Sequence, residues 1–339
     1  MLIVHPISGL VSRLTPIAVR ASSIPRFVAL ANATEASWSE YAASTSSSSI
    51  SLADLLSAEL ADRNIRVIIF GEQHHQPRLL ASELLLVHTL ASAPSSYRLT
   101  LLMEHFNLLQ QPLLYSFAQN GDIEAFQNEY KNSSEGFRMD SSGYLPLLQL
   151  AGEMDNINSE IIAGFPPRLW ARRVAREGAA HLRRNEDFRN SSALDNFNRW
   201  SDLEVSQPYA AYIKSSISGK KPKLEKDLMQ GGLNAAQAFK DAVMAWKIDE
   251  QLNQIRERQQ VDKGEVPVQK ELLVIICGSG HCEFGFGVTE RIRECKRAEI
   301  LLLVAKPDDG HYWNVEEQPS TESENKLADA LIVYESVDI

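Results

Sequence analysis

The 339-residue sequence predicts an α/β fold with a mainly parallel central sheet flanked by helices. Two observations carry that expectation. Apolar runs of strand length, rich in branched residues, recur along the chain with helix-length stretches between them. Three of these runs also end alike. The run through Val67-Ile68-Ile69-Phe70 ends in Gly71-Glu72-Gln73-His74-His75, Leu99–Met103 ends in Glu104-His105, and Leu272–Cys277 ends in Gly278-Ser279-Gly280-His281. In a parallel sheet the carboxyl ends of strands share one edge, where open α/β folds place their ligands. Glu72, His74, Glu104 and His281 are therefore expected to converge there.

The elements follow in order. Residues 1–49 read as a transit peptide followed by a flexible linker, because Ser44-Thr45-Ser46-Ser47-Ser48-Ser49 is a polar, low-complexity run. The folded domain is expected over 50–339, opening with a capping box at Ser51 and a short helix to Leu60. Strands are expected at Arg66–Phe70, Leu99–Met103, Glu160–Gly164, Leu272–Cys277, Ile300–Ala305 and Ala330–Tyr334. Helices are expected at Arg78–Ala91, from Pro112 to Gln119, at Ile123–Tyr130, from Tyr144 to about Ile157, at Arg168–Glu177, at Leu233–Arg258 and from about Phe286 to Cys295. The polar, mixed stretch 178–232, with basic Gly219–Lys223, reads as a helical or mobile insertion.

Composition narrows the function. A net charge of −10 and a pI near 5.4 argue against a non-specific nucleic-acid binder, which needs a basic surface. No run is long and apolar enough to cross a bilayer as a helix. The three cysteines, Cys277, Cys282 and Cys295, lie in no Cys-x-x-Cys pair and suggest neither a structural zinc site nor a disulfide framework. The first 34 residues contain no acid but carry Arg13, Arg20 and Arg26 with several Ser and Thr. That composition implies a mitochondrial or plastid transit peptide cleaved between Arg20 and Glu35, the alternative being a cytoplasmic protein with an irregular start.

The ordered landmarks resemble those of the ChaN-like haem-binding proteins of the Tiki superfamily. They are Gly71-Glu72-Gln73-His74 with Pro77, Glu104-His105-Phe106 with Gln110-Gln111-Pro112, and Tyr144-Leu145-Pro146-Leu147-Leu148. They continue with Gly164-Phe165-Pro166-Pro167-Arg168 through Arg176-Glu177-Gly178, Gln237 to Ala245, and Gly278-Ser279-Gly280-His281 followed by Gly285-Phe286-Gly287. The resemblance spans roughly Arg66 to Ala305. It implies additional helices over the sheet's carboxyl edge, binding of haem or another tetrapyrrole, a part in iron or haem uptake, and a homodimer. Bacterial relatives often carry a lipoprotein cysteine near the start; no cysteine precedes Cys277 here, so that anchor is not expected.

Two readings follow. A haem protein needs an axial ligand, for which Tyr144, His74 and His281 are available, and cations for the propionates, for which Arg168 and Arg172 are available. Tyr144 matches the aromatic position at which the family is suspected of holding iron. The hydrolytic Tiki and erythromycin-esterase branches share the acid and imidazole landmarks. On that alternative Glu72 or Glu104 is the catalytic base, and Glu72, His74, Glu104 and His281 hold a divalent metal ion. His75 and His105 read as structural. No Gly-x-Ser-x-Gly elbow is present, so serine hydrolysis is not expected.

Overall fold

The computed structural model describes residues 19–22, 33–37, 46–50, 52–92, 97–132, 136–154, 157, 161–197, 203–218, 232–261, 270–294, 298–307, 311–315 and 328–334. Its strands are β1 (Val19–Ser22), β2 (Ala33–Ser37), β3 (Ser46–Ile50), β4 (Ile65–Glu72), β5 (Arg98–Asn107), β6 (Ile162–Phe165), β7 (Glu271–Gly278), β8 (Glu299–Pro307), β9 (His311–Val315) and β10 (Ala330–Tyr334). Helices α1 (Leu52–Asp62), α2 (Pro77–Ala91), α3 (Gln111–Asn120), α4 (Ile123–Asn132) and α5 (Leu145–Glu153) precede β6 or link the strands before it. Then come α6 (Arg168–Glu177), α7 (Ala179–Arg184), α8 (Glu186–Arg189), α9 (Gln207–Ser218), α10 (Gly232–Val261) and α11 (Val288–Glu294).

The main sheet runs β3-β1-β10-β8-β4-β7-β5-β6. Its six strands from β10 to β6 are parallel, and β1 and β3 add antiparallel at one edge. The α/β expectation therefore holds. The buried character of the central strands explains why they read as unbroken apolar runs: both faces are covered. Alternate residues serve opposite faces. Ile68, Phe70, Leu101, Met103, Val274 and Ile276 face a core completed by α1, α2 and α5. Val67, Ile69, Leu102, Leu273, Ile275 and Cys277 face the one completed by α9, α10 and α11.

A third apolar cluster caps the carboxyl edge near β6. Trp170 and Val174 of α6, Leu182 of α7 and Phe188 of α8 pack there with Phe239 and Trp246 of α10. Most of the polar stretch from 178 onward thus owes its order to a few spaced apolar residues. Gly219–Lys223, residues 262–269 and Pro319–Lys326 lie outside the described residues.

The structure differs from the sequence expectation in three places. The serine run, read as a linker, supplies β3, an edge strand held by backbone pairing to β1, which composition does not reveal. β1 and β2 likewise fall within the stretch read as a transit peptide, and β2 pairs with β9 in a separate two-stranded sheet. The last helix begins at Val288 because Phe284, Gly285 and Gly287 have positive φ, which interrupts a helix.

Gly71 permits the close approach of β4 to the loop after β7. An added Cβ there would lie 2.6 Å from Cys282 Sγ, 3.2 Å from Ser279 Cα and 3.3 Å from Val304 Cγ2. Gly71→Ala is expected to cost about 1–3 kcal/mol by overpacking, read as a lower midpoint in urea unfolding.

Candidate functional site

The three strand endings do converge. β7 lies between β4 and β5, so Gly278 at its end is flanked by Glu72 and Glu104. Glu72 is 1% exposed and Glu104 is 5% exposed. Buried carboxylates require donors, and each has them. Glu72 Oε1 accepts from His74 Nδ1 at 2.8 Å, from His105 Nε2 at 2.7 Å and from the Tyr144 hydroxyl at 2.9 Å. Glu104 Oε2 accepts from the Gly278 amide at 2.6 Å, and its Oε1 lies 3.4 Å from His74 Nε2. His74 is thereby strapped between two carboxylates.

Electrostatics follow from this packing. Burial alone would raise the carboxyl pKa of Glu72, but the charge and hydrogen bond of His105, with the bond from His74, outweigh it and hold the group well below its ordinary value. Glu104 is likewise held low against its burial by the His281 and His74 imidazoles beside it. For His74, burial is outweighed by Glu104 and Glu72, and its pKa rises to about 10. The ring is an imidazolium at neutral pH. His75, held at a φ of 67° just after β4, is pushed the other way by burial and by the His74 charge.

Glu83 of α2 is the residue that sequence reasoning missed here. It is 1% exposed, and burial together with the Glu72 charge pushes its pKa well up. Neither oxygen has a donor among the described residues, so the group is satisfied only as a neutral acid whose O–H donates to Glu72. A charge set four residues after Leu79 on the buried stripe of an apolar helix was the available signal. Phe137 was also unforeseen. Its ring packs edge-on against His74 at 4.9 Å and His105 at 4.5 Å between centroids.

The proposed site residues are placed as follows. Tyr144 lies inside the cluster, 1% exposed, its hydroxyl spanning both oxygens of Glu72 and driven far up in pKa by burial and by the Glu72 charge. His281 is 7% exposed and is turned away, its Nδ1 donating to Asp241 at 2.6 Å, while its Nε2 stands 3.8 Å from Glu104. Tyr209 completes that side by donating to Asp241 at 2.7 Å. His74 keeps 32% of its side chain exposed. Arg168 and Arg172 are exposed on α6, and a Cβ on Gly136 would meet the Arg168 guanidinium at 3.3 Å. Arg168 thus borders the loop that carries Phe137.

The tightest set of ligand atoms joins Glu72 and His74 to His105, all within 4.8 Å of one another. It omits Glu104 and His281 from the four-residue set expected of a metal site and brings in His105, which was read as structural. The short hydrogen bonds within it are made by protons that a divalent ion would have to displace. As it stands, the site holds a cationic ring, partly open to solvent, between two buried anions, with a neutral acid beside Glu72.

An α/β sheet with a buried acid–imidazole cluster on its carboxyl edge is thus the class defined by fold and site. The family model for haem-binding uptake proteins of the Tiki superfamily, ChaN, matches residues 57–292. The chain belongs to the ChaN family. Among solved structures it is similar to ChaN of Campylobacter jejuni, described as showing cofacial haem binding, with 16% identity over 84% of this chain and 92% of that one at a TM-score of 0.50. A protein of Bacillus cereus aligns with 10% identity over 76% of this chain and 70% of its own at a TM-score of 0.32. No curated protein matches the chain in sequence.

The cluster predicts a stability profile. His74, raised from 6.5 to about 10, stabilises fully below 6.5 and loses that contribution as pH rises through about 10. Glu72 and Glu104, lowered from 4.5, stabilise fully above 4.5 and lose it as pH falls through their depressed values. Glu83, raised from 4.5, adds to the loss on the alkaline side. Unfolding midpoints are expected to be highest near pH 4.5, where the contributions of all four groups meet, and to fall on either side. At pH 6, Glu104→Gln is expected to cost about 3 kcal/mol in denaturant unfolding, by unpairing a buried charge. Glu83→Gln keeps a donor toward Glu72 and is expected to cost under about 1 kcal/mol in the same assay.

Proposed function

We propose that the protein binds haem, or a closely related tetrapyrrole, at the carboxyl edge of the sheet and serves in haem or iron handling. The observation that carries this reading, within a family named for haem binding, is the placement of His74. Of Tyr144, His74 and His281 it is the one whose ring reaches solvent. Glu72 holds its Nδ1–H, the arrangement by which a carboxylate orients an imidazole ligand and makes it more basic. Nε2 faces Glu104 and, in its deprotonated form, would be the atom that holds the iron. Phe137 supplies an apolar wall, and Arg168, followed one turn later by Arg172, supplies cations beside it for the propionates. Haem, when bound, supplies the iron and its redox chemistry.

Cofacial binding, the property of the Campylobacter jejuni structure, extends the proposal to this chain. Two porphyrins face to face would need two such sites brought together, and a homodimer is the simplest assembly that pairs them. An organellar address belongs to the same proposal and rests on the acid-poor first 34 residues. A fluorescent protein carrying residues 1–49 is expected to enter mitochondria or plastids, and diffuse cytoplasmic signal would overturn that part.

Haemin titration followed by Soret absorbance tests the central claim. The wild-type chain is expected to give a saturable shift. His74→Ala is expected to weaken binding by at least about tenfold, Arg168→Ala by a few-fold, and Tyr144→Phe to leave the Soret position unchanged. A flat response from folded wild-type protein sinks haem binding. A shift lost in Tyr144→Phe but kept in His74→Ala reassigns the ligand.

A further inference from the structure

Helix α6 is sharply two-sided. Trp170, Ala171 and Val174 are buried on one side, where they pack with Phe239 and Trp246 of α10. At roughly 100° per residue, Arg168, Leu169, Arg172, Arg173 and Arg176 fall within an arc of roughly 140° on the other side. Arg173 is half-buried and the other four are exposed. Gly178 follows, and α7 adds Arg183 and Arg184, both exposed. From 168 to 184 the chain carries six arginines and one acid, Glu177, within a protein whose net charge is −10. Glu177 pairs with Arg173 at 3.7 Å, so the positive surplus belongs to the face as a whole.

The elements beside α6 do not cancel this charge. Gly232, at the start of α10, lies so close that an added Cβ would come within 1.5 Å of the Ala175 carbonyl oxygen, and α10 carries no acid before the buried Asp241. The 3-10 turn Leu108–Gln110, whose Leu108 shares the apolar cluster of Trp170, is uncharged, and so is α3. In the Phe137 loop, Arg138 and Asp140 pair with each other. Acids return in α8, where Glu186 and Asp187 are followed by Arg189. The large apolar side chains exposed among the described residues are Leu109, Tyr115, Leu169 and Leu233. They stand on these same elements: the 3-10 turn, α3, α6 and the first turn of α10. Leu169 is the most exposed, at 68%, and it lies inside the arginine arc.

A basic face that also carries an exposed leucine needs a partner with two layers. Guanidinium groups take phosphates through paired hydrogen bonds. Leucine gains free energy only where an apolar phase lies behind those phosphates. An anionic bilayer offers both layers, and its surface potential draws basic residues held within a Debye length. A nucleic acid offers the phosphates without the apolar phase behind them. The buried side of α6 is already engaged by α10, so the helix meets a membrane with its polar face while staying in the fold.

We propose that the outer face of α6, continued by the arginines of α7, docks the protein on an anionic lipid bilayer, with its guanidinium groups on lipid phosphates and Leu169 at the acyl boundary. Co-sedimentation of the full chain with vesicles of phosphatidylcholine, with and without phosphatidylglycerol, tests it. Binding is expected to the anionic vesicles alone and is expected to vanish between about 0.1 M and about 1 M salt, as the screening length falls to about 3 Å. Arg176→Gln combined with Arg184→Gln is expected to weaken binding about fivefold per arginine. Arg98→Gln combined with Arg256→Gln makes the same change of charge at the amino edge of the sheet and is expected to bind as the wild type does. Leu169→Trp is expected to bind and to gain emission that brominated lipid quenches. No binding to anionic vesicles, equal binding to neutral ones, wild-type affinity in the Arg176 and Arg184 variant, equal loss in the amino-edge variant, or an unquenched tryptophan would each overturn the proposal. A dimer by ultracentrifugation that Leu169→Glu dissociates, with no vesicle binding, would assign the face to a second copy of the chain and overturn it likewise.

Discussion

The carboxyl edge of the sheet depends on one imidazolium held between two buried carboxylates. Glu72 and Glu104 stand at the ends of β4 and β5 with β7 between them, and two such anions in a dry interior repel one another and lack water. His74 answers both problems by donating to Glu72 from one ring nitrogen and facing Glu104 with the other. Gly278 makes room for this. Its amide donates to Glu104, and a Cβ at that position would come within 3.0 Å of His74 Nε2. The glycine between the two acids is thus favoured by close approach, since its φ of −58° is open to any residue. Around this clasp the secondary partners fall into place: Tyr144, His105 and the neutral Glu83 on the Glu72 side, and His281 with Asp241 and Tyr209 beyond Glu104.

Much of this edge was legible in the sequence because parallel sheets obey a simple geometry. Apolar runs buried on both faces are conspicuous, and whatever follows them must lie on the same rim. Glu72, His74, Glu104 and His281 were found by that rule. What it could not show is direction. His281 lies on the rim but turns its Nδ1 to Asp241, 40 residues back on α10, and only the packing of that helix reveals it. His105 read as structural because it continues a strand, yet its alternation turns it onto Glu72. Glu83 was hidden for a different reason: a buried neutral acid has the same letter as a solvated glutamate. The serine run escaped because an edge strand is specified by backbone pairing, and small polar side chains carry no alternation to announce it.

The bulge at Arg66 illustrates the limit of sequence reading most sharply. Its run, Ile65-Arg66-Val67-Ile68, reads as a strand with an ordinary charged start. Only the register against β8 shows that one residue is extra. Such a device is a property of two strands more than 230 residues apart, and neither strand contains it alone.

The two ends of β4 then have opposite chemistry, and the direction of the sheet makes that separation possible. At the carboxyl end, acids dominate and an imidazolium neutralises them. At the amino end, arginines and acids pair: Arg63 with Glu59 and Glu299, and Arg258 with Glu271. The residues between are Val67 to Gly71, all buried and paired on both sides by β7 and β8. A strand fixed in this way cannot slide or twist in response to a ligand at one end without breaking pairings on two neighbours. Changes at sites separated by such a distance, with no shared partner, usually add independently. The sheet therefore works as a partition: it keeps the acid–imidazole cluster of its carboxyl edge apart from the arginine–glutamate pairs of its amino edge.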